Sequence, residues 1–326
     1  FEFQGGEPLT NFEIIKYIVE YTEARKNDKN IEYTVVTNTL LLNDDMIEFF
    51  KKYHFSISTS LDGEKEIHDY NRPQKIGGGT YDFVKNNILK LQKHGLPIGA
   101  IQTTTAKSLQ NPQSVVDAYE KINLHYIFLR PLTPLGYAKE HWDEIGYSSA
   151  DFLRFYKEAL ELIIEKNKNG FKLIEGHAAV FLRKILNLKS DNYMELRSPC
   201  GAGIGQMAYY YDGKIYTCDE GRMLAEMGLP DFCLGNTEMT YDELMESNVC
   251  KITCQSSVLE SLPECCDCVY HPYCGVCPVV NYAMEKNIYS REANGYKCSI
   301  YKGILDILFD YLENNSQALE IFRTWV

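Results

Sequence analysis

The chain has 326 residues, 45% of them hydrophobic, and a formal net charge of −12, so it can bury a full core and its length favours two domains over one. The acidity excludes a general phosphate-backbone binder, which relies on clustered Lys and Arg, and no apolar run reaches the length needed to span a bilayer. No basic segment leads into a signal-like core, so a cytoplasmic protein is expected, with its eleven cysteines acting as ligands or reactive thiols and not as a disulfide framework.

Phe1-Glu2-Phe3-Gln4 alternates like a strand end and runs directly into Gly5-Gly6-Glu7-Pro8. The chain therefore opens inside an element, and an N-terminal segment is expected to be missing. A helix follows over residues 11–25, with Phe12, Ile15, Ile18 and Val19 on its period and Thr10 or Asn11 as the cap. Residues 31–37 read as a strand, 43–53 as a helix and 55–60 as a strand. After the loop Gly77-Gly78-Gly79, which lacks the Lys-Ser/Thr of a phosphate cradle, a helix over residues 81–94 stops at Gly95 and Pro97. A strand at 98–103, a helix at 112–122 and a strand at 126–129 complete the pattern. Repeated β/α units of this size predict a parallel sheet covered by helices. Five strands, plus one expected upstream, suit a partial barrel, in which functional groups gather where strands end. Three such ends are chemically marked: Gln4 to Pro8, Thr37-Asn38, and Ser60-Leu61-Asp62-Gly63. A turn alone would explain any one of them, but three in succession on one predicted face point to a site.

Residues 131–148 read as a connection, 150–168 as a long amphipathic helix, 178–188 as another helix and 300–326 as a terminal helical stretch. The β/α rhythm stops near Pro199, where cysteine density rises. The expected organisation is a barrel domain at 1–148, a helical connection at 149–195 and a cysteine-rich α+β domain at 196–326. In that last region Cys200 is followed after twelve residues by Gly213 and after four more by Cys218; then come Cys265-x2-Cys268-x5-Cys274-x2-Cys277 and Cys298. Thiolate-only sites suit zinc and iron–sulfur clusters alike, and two Cys-x2-Cys pairs alone would favour zinc. Tyr209, Tyr210, Tyr211 and Tyr216 are expected to pack the small sheet nearby, and none of the histidines shows metal spacing with another.

Taken together, Gly5-Gly6-Glu7-Pro8 at a strand end, the Ser60-x-Asp62-Gly63 turn, His68-Asp69, Arg72 and the cysteine array resemble the radical S-adenosylmethionine (SAM) enzymes with a C-terminal SPASM domain that modify peptides or proteins. The resemblance covers essentially the whole chain. It implies an α/β fold: a partial (β/α)6 barrel, here missing its first strand, followed by a small cysteine-rich α+β domain. It implies SAM as cofactor, cleaved at a [4Fe-4S] cluster to a 5′-deoxyadenosyl radical, and with the barrel it tips the cysteines from zinc to iron. Gly5, Gly6 and Glu7 would bind the methionine amino group and Ser60 would lie near the SAM carboxylate or ribose, with Asn38 at the neighbouring strand end. Gln4 and Asp62 would face substrate or SAM, and Arg72 and Arg130 are candidates for carboxylate recognition. Cys265, Cys268, Cys274 and Cys298 would hold one auxiliary [4Fe-4S] cluster. Cys200, Cys218 and Cys277 would hold a second, with an open iron or with Cys233, Cys250, Cys254 or Cys266 as fourth ligand. Asp219, directly after Cys218, is the candidate general base, a role that needs a positioned carboxylate.

The sequence departs from the family twice. Cys274 and Cys277 are separated by two residues where three are usual, and the Cys-x3-Cys-x2-Cys motif of the SAM-cleaving cluster occurs nowhere. An N-terminally truncated, inactive fragment of such an enzyme is therefore expected. The activity implied is hydrogen abstraction from a ribosomally made peptide, possible partners being a leader-binding protein and an external electron donor, with neither nucleic acid nor membrane involved. The stretches 211–222 and 273–278 are similar to maturases of His-Xaa-Ser repeat peptides. Sulfatase maturation, oxidising Ser or Cys to formylglycine, is the enzymatic alternative, and a non-catalytic zinc- and peptide-binding protein is the alternative of another class.

Overall fold

The computed structural model describes residues 1–189, 196–289 and 295–326. Residues 190–195, the end of the expected connection, lie outside the described residues. The first half alternates strands and helices: β1 (Glu2–Phe3), α1 (Phe12–Glu23), β2 (Thr34–Val36), α2 (Asp44–Lys52), β3 (Ser56–Ser60), α3 (Lys65–Asn71), α4 (Tyr81–Lys93), β4 (Ile98–Thr103), α5 (Pro112–Lys121) and β5 (Tyr126–Arg130). Two short helices, α6 (Tyr137–Glu140) and α7 (Trp142–Ile145), lead to the long α8 (Ser149–Lys168) and to β6 (Ile174–Glu175). The chain groups into two compact units, one of Phe1–Pro131 with Phe155–Gly176, the other of Leu132–Arg154 with His177–Val326.

In the first unit β1 to β6 form one sheet in chain order, every pair parallel. Sequential parallel order is what a barrel arc requires when each strand is followed by its own crossover helix. The register sets the two faces. Val35 pairs with Ile57, Ile57 with Ile98 and Ala100 with Ile127, so these residues share the helix-covered face. There Val35 and Ile57 pack with Ile15, Val19, Ile47, Phe50, Phe55 and Leu91, each buried side chain contributing about 1.5–3 kcal/mol. The alternate positions, Val36, Ser58, Ser60, Ile101, Thr103, Phe128 and Arg130, form the opposite face. Caps agree with the expected boundaries: Asn43 accepts from the Met46 N–H at the start of α2, and Asn111 from the Ser114 N–H at the start of α5. The sixth strand, β6, lay outside the expected set because two residues carry no readable period.

The second unit continues with α9 (Gly176–Asn187), β7 (Ala208–Tyr209), β8 (Lys214–Tyr216), α10 (Asp219–Glu226), β9 (Cys233–Asn236), α11 (Tyr241–Glu246), α12 (Asn248–Gln255), α13 (Pro278–Glu285), α14 (Tyr296–Asn314) and α15 (Ser316–Arg323). Strands β7, β8 and β9 make a small antiparallel sheet. Gly213, at φ +81°, closes the β7–β8 turn in a conformation that side chains rarely adopt. The expected terminal helix is interrupted at Asn315, whose side chain caps α15 through the Ala318 N–H. Among the described residues no helix is long and apolar enough to cross a membrane.

Candidate cofactor sites

The strand-end site is built around Glu7. Its carboxylate accepts the Thr37 hydroxyl at 2.6 Å, the Asn38 N–H at 2.8 Å and the Leu9 N–H at 3.0 Å, so it bridges the ends of β1 and β2. A carboxylate has about four lone-pair positions, and three donors leave one for a ligand. Gly5 stands at φ +96°, and a Cβ on Gly6 would meet nothing within 4 Å, so the backbone beside Glu7 borders open space. Gln4 is exposed, and so is Asn38, whose side chain accepts from the Leu40 N–H. Ser60 is half-buried on the same sheet face as Thr103 and Arg130. A carboxylate with spare acceptor capacity beside glycine backbone fits an ammonium group such as that of SAM. Thr37, at a marked strand end, carries a role that no local signal shows. Its Oγ is what orients Glu7.

Asp62 and Arg72 were each read as ligand contacts, and the structure pairs them with one another. Asp62 is 1% exposed and accepts Arg72 Nε at 2.8 Å and the Thr103 N–H at 3.0 Å. The pair clasps the loop after β3 to the end of β4. Arg130 lies over the Phe128 ring at 5.9 Å. The third glycine of the Gly77-Gly78-Gly79 loop is needed for packing, since a Cβ on Gly79 would fall 1.8 Å from Asp69 Cγ.

In the second unit the cysteines gather in two places. Cys265, Cys268, Cys274 and Cys298 all line one cavity of about 320 Å³. Burial first, and then the neighbouring Cys298, Cys265 and Cys268, push the Cys274 thiol up to about 12, against a lowering hydrogen bond at Gly275. Burial and then Cys298 and Cys268 also raise Cys265. Cys277 borders the cavity too, but it packs with Cys200 and Cys218 in an apolar group with Leu224, Phe232 and Val279. Cys218 is raised by burial, then by Glu220, Cys277 and Cys200. Its sulfur caps α10 by accepting the Gly221 N–H at 3.4 Å. Among the described residues that apolar group holds no fourth thiol. Cys250 packs instead with Ile215, Leu234 and Leu244, Cys233 donates to the Gly235 carbonyl, Cys254 is half-buried and Cys266 is exposed.

Among the described residues no disulfide joins the eleven cysteines, and no three His, Cys, Asp or Glu side chains converge on a single-ion site. Four thiols spread around a cavity suit a group wider than one ion, which fits an iron–sulfur cluster better than zinc. Asp219 opens α10 and is held by Arg222, with Nε at 2.8 Å and Nη2 at 2.7 Å from the same carboxylate oxygen. The Arg222 guanidinium in turn sits 5.2 Å from the centre of the Tyr210 ring. Tyr216 is buried as expected, but Tyr209 and Tyr211 are 67% and 86% exposed. They occupy an edge strand and its turn.

The profile of the Radical SAM superfamily matches residues 1–122. A cysteine-type anaerobic sulfatase-maturating enzyme of Clostridium perfringens is 27% identical over 96% of this chain and 82% of its own length. A serine-type anaerobic sulfatase-maturating enzyme of Bacteroides thetaiotaomicron is 25% identical over 96% of this chain and 76% of its own. Among solved structures, native anSMEcpe with bound AdoMet superposes with a TM-score of 0.82 at 23% identity, covering 98% of this chain and 85% of that one. Streptococcus suis SuiB bound to precursor peptide SuiA gives 0.59 at 19% identity, covering 87% and 62%. Six parallel strands in sequential order, the Glu7 cradle at their ends and these alignments lead to one conclusion: residues 1–122 form a radical SAM domain, and the protein is an enzyme with SAM and iron–sulfur clusters as its cofactors.

Proposed function

We propose that this protein is a peptide maturase that removes hydrogen from a ribosomally made peptide, in a cytoplasmic setting where thiols stay reduced. Bound SAM, on reductive cleavage, supplies a 5′-deoxyadenosyl radical as the hydrogen acceptor. The observation that carries the reading is the combination of the Glu7 cradle with two grouped thiol sets in the second unit. Glu7, with Gly5 and Gly6, anchors the SAM amino group. Ser60 and Asn38, at adjacent strand ends, border the rest of the ligand. Cys265, Cys268, Cys274 and Cys298 hold one auxiliary cluster; Cys200, Cys218 and Cys277 hold the other. Asp219, oriented by Arg222, takes up a substrate proton. An external donor supplies electrons, and a leader-binding partner presents the peptide.

One observation favours a second reading, formylglycine formation on a sulfatase. Asp219 follows Cys218 directly, and two relatives that align over 96% of the chain carry the name sulfatase-maturating enzyme. The deciding experiment starts with anaerobically reconstituted protein, measuring iron, sulfide and SAM affinity. Two clusters' worth of iron and sulfide are expected. Glu7→Gln should weaken SAM about tenfold or more, the worth of one charge-assisted hydrogen bond. Stoichiometric zinc without iron, or SAM affinity indifferent to Glu7, would sink the maturase reading. A peptide bearing Ser or Cys in a sulfatase-type sequence, offered to this chain joined to a segment that carries the Cys-x3-Cys-x2-Cys motif and probed with an aldehyde-trapping hydrazine, then separates the two readings.

A further inference from the structure

Lys184 lies on α9 and is 7% exposed. Its ammonium donates to the Tyr273 carbonyl at 2.8 Å and also to the Leu196 carbonyl. Tyr273 immediately precedes Cys274, and Leu196 stands four residues ahead of Cys200. One buried side chain thus joins the segments that lead into both thiol sets. Nothing in the sequence distinguished it, because Arg183-Lys184 reads as an ordinary polar step of a helix. Taking an ammonium out of water costs several kcal/mol even after relaxation, so this placement is not a matter of solubility.

We infer that Lys184 is a positioning residue that sets the reduction potential of the cluster held by Cys265, Cys268, Cys274 and Cys298. The inference rests on the assignment of a cluster to those cysteines. Net charge, hydrogen bonding and burial are the terms through which a protein tunes such a potential, and outer-shell groups exert them. The one-electron reduction from [4Fe-4S]2+ to [4Fe-4S]1+ adds negative charge to an assembly that four thiolates already make anionic. A buried cation held on the carbonyl of the residue before Cys274 stabilises the reduced form more than the oxidised one. Its N–H bond to Tyr273 also ties α9 to the segment that leads into Cys274.

The test compares Lys184→Gln, which keeps a donor and loses the charge, with Lys184→Arg, which keeps both. Each protein is reconstituted anaerobically, its iron and sulfide are counted, and it is titrated with a low-potential chemical reductant while the reduced cluster is followed by electron paramagnetic resonance. The relevant signal is the one that Cys265→Ala abolishes. The Gln variant should retain full iron and show a potential lower by at least a tenfold change in the one-electron equilibrium, 59 mV; the Arg variant should stay near the parent. A Gln variant with full iron and the parental potential overturns the inference. So does one that loses the cluster, since Lys184 would then serve assembly alone. If Cys265→Ala abolishes no signal and leaves iron unchanged, it is the cluster assignment that fails.

Discussion

The strand-end site of the first unit and the thiol sites of the second are prepared for their ligands in different ways. Around Glu7 the polar groups are already wired: Thr37, Asn38 and Leu9 donate to its carboxylate, and Asp62 with Arg72 clasps the adjoining loop to β4. Around the cysteines the organising forces are burial and packing, which raise the thiols of Cys218, Cys265 and Cys274 and so work against the thiolate form that a metal requires. On the proposed assignment the first site is preorganised for SAM, whereas the second would be completed by its metal, whose binding would supply the free energy that deprotonates the thiols raised by burial. Ordering in the first unit should be independent of cofactor, and ordering around the cavity should not.

The largest effect follows from removing iron. Anaerobic chelation should lower hydrogen-exchange protection over residues 259–285 and 295–302, which carry the cavity-lining cysteines, and leave β2 to β5 protected. Cys265→Ala should reproduce the local change and reduce iron by one cluster. Equal loosening of both units would break the comparison. An intermediate effect is expected in the prewired site. Arg72→Met strands the buried Asp62 carboxylate and should cost about 3 kcal/mol in denaturant unfolding. Adding Asp62→Asn should recover part of that loss, because the buried charge is gone. A single variant within about 0.5 kcal/mol of the parent would mean that the clasp is not what orders the loop.

Much of this was readable in advance because local signals agreed with the global fold. Strand ends followed by Gly, Asp or Asn marked the stretches that hold Glu7, Asn38 and Asp62, and cysteine density marked the second unit, where five of the thiols line one cavity and Cys277 also packs with Cys200 and Cys218. What escaped were features created by tertiary neighbours. Thr37 orients Glu7 from 30 positions away, and Asp62 and Arg72 turned out to satisfy each other. Lys184 is buried only because segments 12 and 89 residues distant converge on it. Tyr209 and Tyr211 differ for the opposite reason: aromatic character predicts packing, but they stand exposed on an edge strand and its turn.

The smallest expected effect sharpens the claim that the first site is wired. His68 is fully buried, its Nδ1 accepting the Asp62 N–H at 3.3 Å and its Nε2 lying 3.1 Å from Thr80 Oγ1. The Thr80 hydroxyl donates to the Arg72 carbonyl, so Nε2 must carry the ring proton and Nδ1 must stay bare. Protonating Nδ1 would set one donor against another. Burial lowers the pKa of His68 from its ordinary 6.5; the nearby Asp62 carboxylate opposes this and Arg72 adds to it. With the folded value below the unfolded one, the unfolded chain binds more protons in the interval between them. The neutral ring thus contributes stability that is fully present above about pH 6.5 and is lost as pH falls through the folded value. The slope from this one group can be no steeper than about 1.4 kcal/mol per pH unit. Thermal unfolding of the parent and of His68→Gln, compared at successive pH values, isolates it from the carboxylates, which titrate in both proteins. The gap between the two curves should be constant above pH 6.5 and narrow below it; a gap independent of pH would show that the ring takes up its proton in place and that the network around Asp62 is less committed than its geometry indicates.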